Sequence, residues 1–287
     1  MKNSYQDMAK DLLYISDLDG TLLLPDGTFP KEFKQRLNHL IDKGMKFTIA
    51  TARNYDSAYP ILKGLNLRLP VVLFNGVYLA NFHNGKILEH TQFIDKEVVD
   101  TMLALAQAQT IEPFIYTFGG EHQVYYRHVT NPGSIAYLAS LEKDKRVKQV
   151  PEFTFQKDEN VSGFLLIGTM KNLEPIYHHL KEKHFDHLNS YFAEDVSMKG
   201  YYWLQAFHQQ ANKGNMIEKL VDRLNFPLNK TMVFGDYLND LDMFQVAGYS
   251  LAMENALPAV KESADQVIGS NSQGAVLDFL ESIWMNT

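Results

Sequence analysis

The sequence predicts an α/β protein in which a doubly wound parallel sheet is interrupted by an inserted α+β domain. Short apolar runs alternate with helical segments in both terminal parts of the chain, which is the pattern of parallel strands joined by crossover helices. These runs end in polar residues, and the carboxyl ends of parallel strands are where ligands bind. The middle of the chain instead carries a hairpin signal, which indicates antiparallel strands.

Length and composition limit the possible functions. The 287 residues favour two domains, and we expect a discontinuous core of residues 1–87 and 207–287 around an inserted domain of residues 88–206. The net charge of −7 predicts no nucleic-acid partner, and the absence of a long apolar run predicts a cytoplasmic protein with no membrane contact. The chain has no cysteine, so a metal would need oxygen or imidazole ligands. The composition does not predict the oligomeric state.

Two carboxylates follow the first predicted strand. Residues 12–15 form an apolar run typical of a buried strand, and Asp17, Asp19 and Thr21 come soon after it. A helix is predicted over residues 33–41, because apolar residues recur there at helical spacing. The carboxylates therefore lie where a strand opens onto a loop.

Two further strands end in polar residues before the insertion. Residues 46–50 end at Thr51, and residues 71–74, predicted as a third parallel strand, end at Asn75. A helix predicted over residues 56–63 connects the two strands. Strands that alternate with short helices in this way indicate a parallel sheet.

The inserted segment has a different pattern, which starts with a hairpin signal at Asn84 and Gly85. Its predicted helices and strands cover residues 95–109, 135–141 and 173–183 (helices) and 114–116, 123–126, 161–167 and 201–207 (strands). We interpret the aromatic residues of these strands mainly as packing residues. We interpret the segment with His178, His179, His184 and His187 as a solvated helix and loop, because it is rich in lysine and lacks clean metal-ligand spacing.

The last part of the chain returns to alternating helices and strands. Here the sequence predicts helices over residues 215–224 and 258–263 and strands over 231–234, 251–253 and 267–268, with a further helix from residue 241. Lys213 precedes the helix predicted over residues 215–224. The polar residues Asp236, Asn239 and Asp240 follow the strand predicted over residues 231–234.

We expect the polar residues at the strand ends to converge, because the carboxyl ends of parallel strands share one edge of the sheet. Two like charges about 4 Å apart repel by about 4 kcal/mol at an effective dielectric constant of 20. Several carboxylates at one place therefore require a cation. Oxygen ligands of this kind suit Mg²⁺, which also bridges to phosphate. The sequence thus predicts a Mg²⁺ site at this edge.

The same residue types are suited to phosphoryl transfer in two steps. Asp17 is the candidate nucleophile, which would form an aspartyl-phosphate, and Asp19 is the candidate general acid and base. The hydroxyls of Thr21 and Thr51 are candidate donors to phosphoryl oxygens. Lys213 is the candidate cation that neutralises the charge of the transferred group.

The order of these residues resembles the four motifs of the haloacid dehalogenase superfamily of phosphatases. The motifs in this chain are Asp17-Leu18-Asp19-Gly20-Thr21, Thr51, Lys213-Gly214, and Gly235-Asp236 with Asn239-Asp240. With the insertion and Asn75-Gly76, the chain is similar to the Cof-type branch of that superfamily. This resemblance implies a Rossmann-like core, an inserted α/β cap over the active site, and hydrolysis of small phosphorylated metabolites such as sugar phosphates or phosphorylated cofactors.

The resemblance also implies a role for each motif residue. Asp17 is implied as nucleophile and Mg²⁺ ligand, Asp19 as general acid and base with its backbone carbonyl on the metal, and Asp236 as a metal ligand. The resemblance implies phosphate binding by Thr51 and Lys213, and Thr21 and Asn75 are further candidates for phosphate binding. The implied supporting residues are Asn239 and Asp240.

Several positions depart from the pattern of the Cof-type branch. Ala52 stands where the second motif usually has Gly, Tyr237 replaces a small residue after the fourth-motif Asp, and residues 205–210 lack the acidic, apolar and Pro/Gly pattern expected there. Arg53 fits either a role at the site or a surface helix start. Two alternatives stay open: a phosphomutase on the same scaffold, or a phosphometabolite-binding protein with weak catalysis.

Overall fold

The computed structural model describes residues 8–119, 122–142, 144–195 and 198–284. The chain divides into two compact units. The first unit extends to His90 and resumes at Asn212, and the second unit is Thr91–Ala211. The first residue of the second unit is 91, three residues after the predicted start of the insertion at 88. Its last residue is 211, five residues after the predicted end at 206. Within the described ranges, no helix is long and apolar enough to cross a membrane.

The first unit is built on a five-stranded parallel sheet, which confirms the predicted fold class. Across the sheet, its strands are Gln266–Val267 (β14), Tyr249–Ala252 (β13), Thr231–Gly235 (β12), Leu13–Ser16 (β1) and Lys46–Ile49 (β2). All four residues of β1, an interior strand, are buried, as expected for a parallel strand covered on both faces. Ser16, the last residue of β1, pairs with Phe234 on one side and Ile49 on the other, so the loops after these three strands leave the sheet at one edge.

Six helices of the first unit accompany these strands in the described part of the chain. They are Lys31–Asp42 (α1), Tyr55–Leu62 (α2), Lys213–Leu224 (α6), Leu241–Val246 (α7), Pro258–Ser263 (α8) and Ala275–Trp284 (α9). Helix α1 buries Leu37, Leu40 and Ile41. The sequence prediction did not include α9, although its buried residues Leu277 and Leu280 belong to a helically spaced apolar set.

The strand predicted at residues 71–74 is present and lies parallel to the end of β2, as predicted, but its main pairing is in a different sheet. Val71–Leu73 (β3) pairs antiparallel with Tyr78–Ala80 (β4), which pairs antiparallel with Ile87–His90 (β5) to complete a three-stranded sheet. The pairing of β4 with β5 confirms the predicted hairpin at Asn84 and Gly85. An isolated parallel bridge joins Ala50 to Val72.

A tight turn explains why β3 pairs with its neighbour in sequence. Phe74, Asn75 and Gly76 have φ angles of 54°, 52° and 84°, so three consecutive residues adopt left-handed backbone conformations. The chain therefore reverses direction directly after β3 and returns as β4. An apolar run shows that a strand is buried, but not which strand it pairs with.

The described residues of the second unit form a six-stranded, mostly antiparallel sheet and three helices. Across the sheet, its strands are Leu188–Glu194 (β10), Tyr202–His208 (β11), Asn160–Gly168 (β9), Phe114–Phe118 (β6), His122–Tyr126 (β7) and Val147–Gln149 (β8). Its helices are Lys96–Ala108 (α3), Pro132–Ser140 (α4) and Met170–Lys183 (α5). The sequence prediction missed β8 and β10, which lie at the two edges of the sheet and lack a continuous apolar run. The strand predicted over residues 201–207 corresponds to β11, which includes residues 205–208 of the segment that departs from the family pattern.

Candidate active site

The loop after β1 lies directly against the loop after β12. The backbone N–H of Asp17 donates to the carbonyl oxygen of Phe234 at 2.9 Å. Gly20 has a φ of 75°, and a Cβ atom at this position would lie 2.1 Å from Oδ2 of Asp236. Both the backbone conformation and the close approach require glycine here. The first motif and the fourth motif are thus in direct contact within the first unit.

Lys213 connects the third motif to both of these loops. Its Nζ donates to Oδ1 of Asp17 at 2.7 Å and to Oδ1 of Asp240 at 2.6 Å, and its side chain is 0% exposed. Lys213 is the first residue of α6, where the side chain of Asn212 accepts a hydrogen bond from the N–H of Asn215 and caps the helix. This hydrogen bond at the start of the helix fixes the position of the backbone from which the Lys213 side chain extends into the site.

Asp240 organises the turn of the fourth motif. Its Oδ2 accepts hydrogen bonds from the backbone N–H groups of Asp236 at 2.8 Å and Tyr237 at 3.0 Å, while its Oδ1 accepts from Lys213. The side chain is fully buried. Tyr237, the unusual residue of this motif, lies half-buried, and both burial and the neighbouring Asp236 raise the pKa of its hydroxyl.

Three carboxylates meet at this point. Asp17, Asp236 and Asp240 each offer an oxygen that lies within 4.8 Å of those of the other two. Burial raises the pKa of Asp17 well above its usual value, and the charges of the two other carboxylates add to this effect against that of Lys213. Burial and Asp240 raise the pKa of Asp236 to about 7. Burial alone lowers the pKa of Lys213, but its two carboxylate partners outweigh burial and raise it.

These carboxylates fit a divalent cation with oxygen ligands. Three carboxylates meet a single lysine, and besides burial their mutual repulsion raises the pKa values of Asp17 and Asp236. A cluster of hard oxygen donors suits Mg²⁺. The group contains Asp17 and Asp236, which the sequence predicts as metal ligands, and also Asp240, which it predicts as a supporting residue. The carboxylate of Asp19 is not part of this group.

The carboxylate of Asp19 is instead held by Arg53. Nε of Arg53 donates to Oδ2 of Asp19 and Nη2 of Arg53 donates to Oδ1, both at 2.7 Å. The hydrogen bonds to Asp19 raise the pKa of the guanidinium despite its partial burial. A two-point contact of this kind fixes the orientation of a carboxylate as well as its position. Arg53 is therefore a residue of the site, which the sequence left open.

The two threonines occupy different positions in the site. The hydroxyl of Thr21 donates to Oδ1 of Asp236 at 2.7 Å, so it braces a carboxylate of the cluster. The hydroxyl oxygen of Thr51 accepts from the backbone N–H of Arg53 at 3.1 Å, and the residue is fully buried. Thr51 thus shapes the loop that carries Arg53.

Asn75 and Asn239 form a pair beside Asp240. Nδ2 of Asn239 donates to Oδ1 of Asn75 at 2.8 Å, and the backbone N–H of Asn75 donates to the carbonyl oxygen of Thr51 at 3.0 Å. Nδ2 of Asn75 is buried and has no hydrogen-bond partner in the described part of the chain. A buried donor without a partner is costly, so this amide is poised for an acceptor from a ligand.

Asn255 is a residue of the site that sequence reasoning missed. Its Nδ2 donates to the carbonyl oxygen of Gly20 at 2.8 Å, and its Oδ1 accepts from the backbone N–H of Asn271 at 3.0 Å. It thereby ties the first-motif loop to the segment that follows β13. No local pattern marks it, because its partner lies 235 residues away in sequence.

Comparison with known proteins identifies the family. A family model of haloacid dehalogenase-like hydrolases matches residues 14–280. The pyridoxal phosphate phosphatase YbhA of Escherichia coli is 28% identical over 93% of this chain and 96% of its own length. The HMP-PP phosphatase of Serratia proteamaculans is 28% identical over 94% of both chains. A 5-amino-6-(5-phospho-D-ribitylamino)uracil phosphatase of Bacillus subtilis, YitU, is 24% identical over 95% of this chain and 97% of its own length.

Solved structures show the same fold. A haloacid dehalogenase-like hydrolase from Bacteroides thetaiotaomicron superimposes with a TM-score of 0.77 at 22% identity, over 95% of this chain and 99% of that one. A haloacid dehalogenase-like hydrolase from B. subtilis gives a TM-score of 0.76 at 21% identity, over 93% and 98%. The family match covers nearly the whole chain and confirms the prediction of an enzyme of the hydrolase class. The chain therefore belongs to the haloacid dehalogenase-like hydrolase family.

Proposed function

We propose that the chain is a Mg²⁺-dependent phosphatase that hydrolyses small phosphorylated metabolites through an aspartyl-phosphate on Asp17. The observation that carries the proposal is the buried contact of Lys213 with both Asp17 and Asp240. It places a fixed positive charge beside the candidate nucleophile, where a phosphoryl group would need it. The phosphatase names of the relatives agree with this reaction.

In the first step, a carboxylate oxygen of Asp17 attacks the phosphorus atom. Lys213 engages Oδ1 of Asp17, which leaves Oδ2 for the attack. The bond from phosphorus to the leaving oxygen breaks, and Asp19 gives that oxygen a proton. Lys213 and the amide of Asn75 are the proposed partners of the phosphoryl oxygens.

In the second step, water replaces the aspartate on phosphorus. Asp19, now ionised, takes a proton from the water molecule as it attacks, and the bond from phosphorus to Asp17 breaks. Inorganic phosphate leaves, Asp17 regains its carboxylate, and Asp19 regains its proton. The contact with Arg53 holds Asp19 in one orientation between these tasks.

The proposed Mg²⁺ ligands are Asp17 and Asp236, with the backbone carbonyl of Asp19. When bound, Mg²⁺ would supply positive charge that offsets the carboxylates and the phosphoryl group. Asp240 would hold the fourth-motif turn through the backbone N–H of Asp236. We assign the selection of the leaving group to the second unit, Thr91–Ala211, as a cap domain.

The direct test is release of inorganic phosphate from a panel of phosphate esters in the presence of Mg²⁺. The panel should contain sugar phosphates and pyridoxal phosphate, the latter because it is named for one relative. We expect turnover of at least one ester, its loss when the metal is removed with EDTA, and its recovery with Mg²⁺. We expect Asp17→Asn to abolish turnover, because an amide is not a nucleophile towards phosphorus.

The matched control is Asp100→Asn, which makes the same chemical change at an exposed position of α3. It should leave turnover unchanged. Unchanged turnover in Asp17→Asn would overturn the assigned nucleophile. Conversion of a sugar phosphate into its isomer without free phosphate would identify a phosphomutase. Saturable binding of an ester without phosphoenzyme formation would identify a binding protein instead.

A further inference from the structure

The segment that follows β13 contacts both the first-motif loop and the fourth-motif loop of the first unit. The backbone N–H of Leu257 donates to the carbonyl oxygen of Asp236 at 3.1 Å. Two residues earlier in the chain, Nδ2 of Asn255 donates to the carbonyl oxygen of Gly20 at 2.8 Å. One short stretch of the chain therefore holds both loops that carry the proposed Mg²⁺ ligands.

Asn255 is itself held in place by the turn before α9. Its Oδ1 accepts hydrogen bonds from the backbone N–H of Asn271 at 3.0 Å and from the hydroxyl of Ser270 at 3.4 Å. The buried side chain of Asn271 donates through Nδ2 to the carbonyl oxygen of Leu23 at 2.9 Å. Two asparagines in mutual contact thus hold the first-motif loop, at Gly20 and at Leu23.

The carbonyl group that Asn255 holds belongs to the peptide between Gly20 and Thr21. Gly20 has no Cβ atom, so its backbone has many accessible conformations, and a hydrogen bond from outside the loop helps to restrict it to the observed φ of 75°. The hydroxyl of Thr21 donates to Oδ1 of Asp236 at 2.7 Å. The orientation of this peptide therefore affects a carboxylate of the site through Thr21.

Asn255 acts through hydrogen bonds and not through packing. The residue is exposed, so truncation of its side chain leaves no cavity in the apolar core. A neutral amide offers both a donor and an acceptor, and here the donor engages Gly20 while the acceptor engages Asn271. A carboxylate at neutral pH offers acceptors only. Asparagine and aspartate at this position therefore differ in the contact with Gly20.

We propose that Asn255 is a positioning residue, which fixes the first-motif loop so that the backbone carbonyl of Asp19 and the carboxylate of Asp236 keep a constant separation. This role rests on the proposed function, in which both groups are Mg²⁺ ligands. Residues that orient metal ligands through hydrogen bonds typically change metal affinity or activity by about 10- to 100-fold when they are mutated. We therefore expect Asn255 to control Mg²⁺ binding and turnover without contacting the ion.

The test uses the full chain after treatment with EDTA and compares Asn255→Ala and Asn255→Asp with the parent chain. In calorimetric titrations, both variants should bind Mg²⁺ at least roughly tenfold more weakly. At saturating Mg²⁺, kcat for a phosphate ester should fall by a similar factor, while KM changes less than about twofold. Before Mg²⁺ is added, the backbone N–H groups of residues 18–23 should exchange with deuterated water faster in both variants.

The matched control is Asn38→Ala, because Asn38 makes the same two kinds of contact elsewhere in the first unit. Its Nδ2 donates to the carbonyl oxygen of Gly64 at 2.8 Å, and its Oδ1 accepts from the backbone N–H of Asn66 at 2.8 Å. This variant should leave the Mg²⁺ affinity, kcat and the exchange of residues 18–23 unchanged. The melting temperature without Mg²⁺ shows whether each variant folds.

The proposal is overturned if either folded variant of Asn255 binds Mg²⁺ as tightly as the parent chain, or if Asn38→Ala weakens binding equally. Parent-like binding by Asn255→Asp alone would show that the contact with Asn271 matters and the contact with Gly20 does not. A parent chain that binds Mg²⁺ but releases phosphate from no ester contradicts the proposed phosphatase function alone. In that case the Mg²⁺ affinities of the variants still decide the role of Asn255.

Discussion

At the scale of single residues, Lys213 determines how the carboxylates of the site can coexist. Removing a charge from water is costly unless an opposite charge lies beside it, and this fully buried ammonium group has two carboxylate partners. Loss of Asp240 would leave Lys213 with a single partner and would also free two backbone N–H groups of the fourth motif. Asp240 therefore contributes to the charge balance of the site as directly as the proposed metal ligands do.

Arg53 provides a prediction about the proposed general acid. Its two hydrogen bonds orient Asp19, so Arg53→Met should impair proton donation to the leaving group more than it impairs the attack by Asp17. We expect kcat/KM to fall at least roughly tenfold for alkyl phosphates, which need a proton on the leaving oxygen, and much less for p-nitrophenyl phosphate, whose leaving group needs none. Steady-state kinetics with both esters measure the difference.

The control for this prediction is Arg68→Met, which removes an arginine paired with Asp42 on the surface. Arg68→Met should leave kcat/KM unchanged for both the alkyl phosphate and p-nitrophenyl phosphate. Arg53→Lys keeps the charge but loses the two-point geometry, so its activity towards alkyl phosphates should lie between those of the parent and Arg53→Met. Equal losses with both esters would show that Arg53 does not act through Asp19.

At the scale of elements, the turn between β3 and β4 supports the start of α6. A Cβ atom on Gly76 would lie 2.0 Å from the carbonyl oxygen of Asn212, the residue that caps α6 and precedes Lys213. The hairpin of β3 and β4 thus has a role in the site. It brings the amide of Asn75 beside Asn239 and limits the space beside the helix start.

Gly76→Ala should therefore affect both stability and turnover. The added methyl group meets backbone atoms, and φ at this position is 84°, so we expect a loss of roughly 2–3 kcal/mol in the free energy of unfolding. Displacement of Asn212 should also lower phosphatase turnover through Lys213. Urea denaturation and phosphate release measure the two effects.

The control for Gly76 is Gly64→Ala. Gly64 also has a positive φ, 98°, but no atom lies within 4 Å of its added Cβ position. This variant should lose only the conformational part, about 1 kcal/mol, and should keep its turnover. Similar losses in both variants would show that the contact with Asn212 contributes nothing.

At the scale of the whole molecule, each of the two units carries one of the chain's two tryptophans. Trp203 lies in the second unit and Trp284 in the first. The first unit has a five-stranded and a three-stranded sheet. The second unit has its own six-stranded sheet and its own apolar core, between that sheet and the helices α3 and α5. The unfolding of each unit can therefore be followed separately by fluorescence.

The second unit should lose stability in mild acid because of His122. Burial lowers the pKa of His122 to about 4 from an unfolded value of 6.5, with a further effect of Arg146. The unfolded chain therefore takes up a proton first, so the stability present above pH 6.5 is lost as the pH falls towards 4, by at most about 3 kcal/mol. In a Trp284→Phe background, Trp203 is the remaining tryptophan and reports on the second unit. In this background, His122→Gln should make the free energy of unfolding, measured with urea, depend less on pH between these two values.

The control for this measurement is His39→Gln, which changes an exposed histidine of the first unit. Its pH profile should match that of the parent in the same background. An unchanged slope in His122→Gln would mean that other groups of the second unit cause the acid sensitivity.

Local pattern was enough to predict much of the fold. The apolar runs of β1, β2 and β12 showed which strands are buried, and the polar residues after them showed which edge of the sheet carries the site. Strand partners were less predictable, because pairing depends on turns such as the one at Asn75. The edge strands β8 and β10 were missed for a related reason, since an edge strand needs no continuous apolar run.

The sequence by itself determined the residue types of the site and their order: two carboxylates after β1, a lysine at the start of a helix, and further carboxylates after β12. Tertiary structure decided which of them touch. Lys213 lies 196 residues from Asp17 and selects Asp17 and Asp240 as partners, while Arg53 takes Asp19. Residue type fixes what a side chain can do chemically. Packing between distant elements fixes its neighbours, and these neighbours set its charge and orientation.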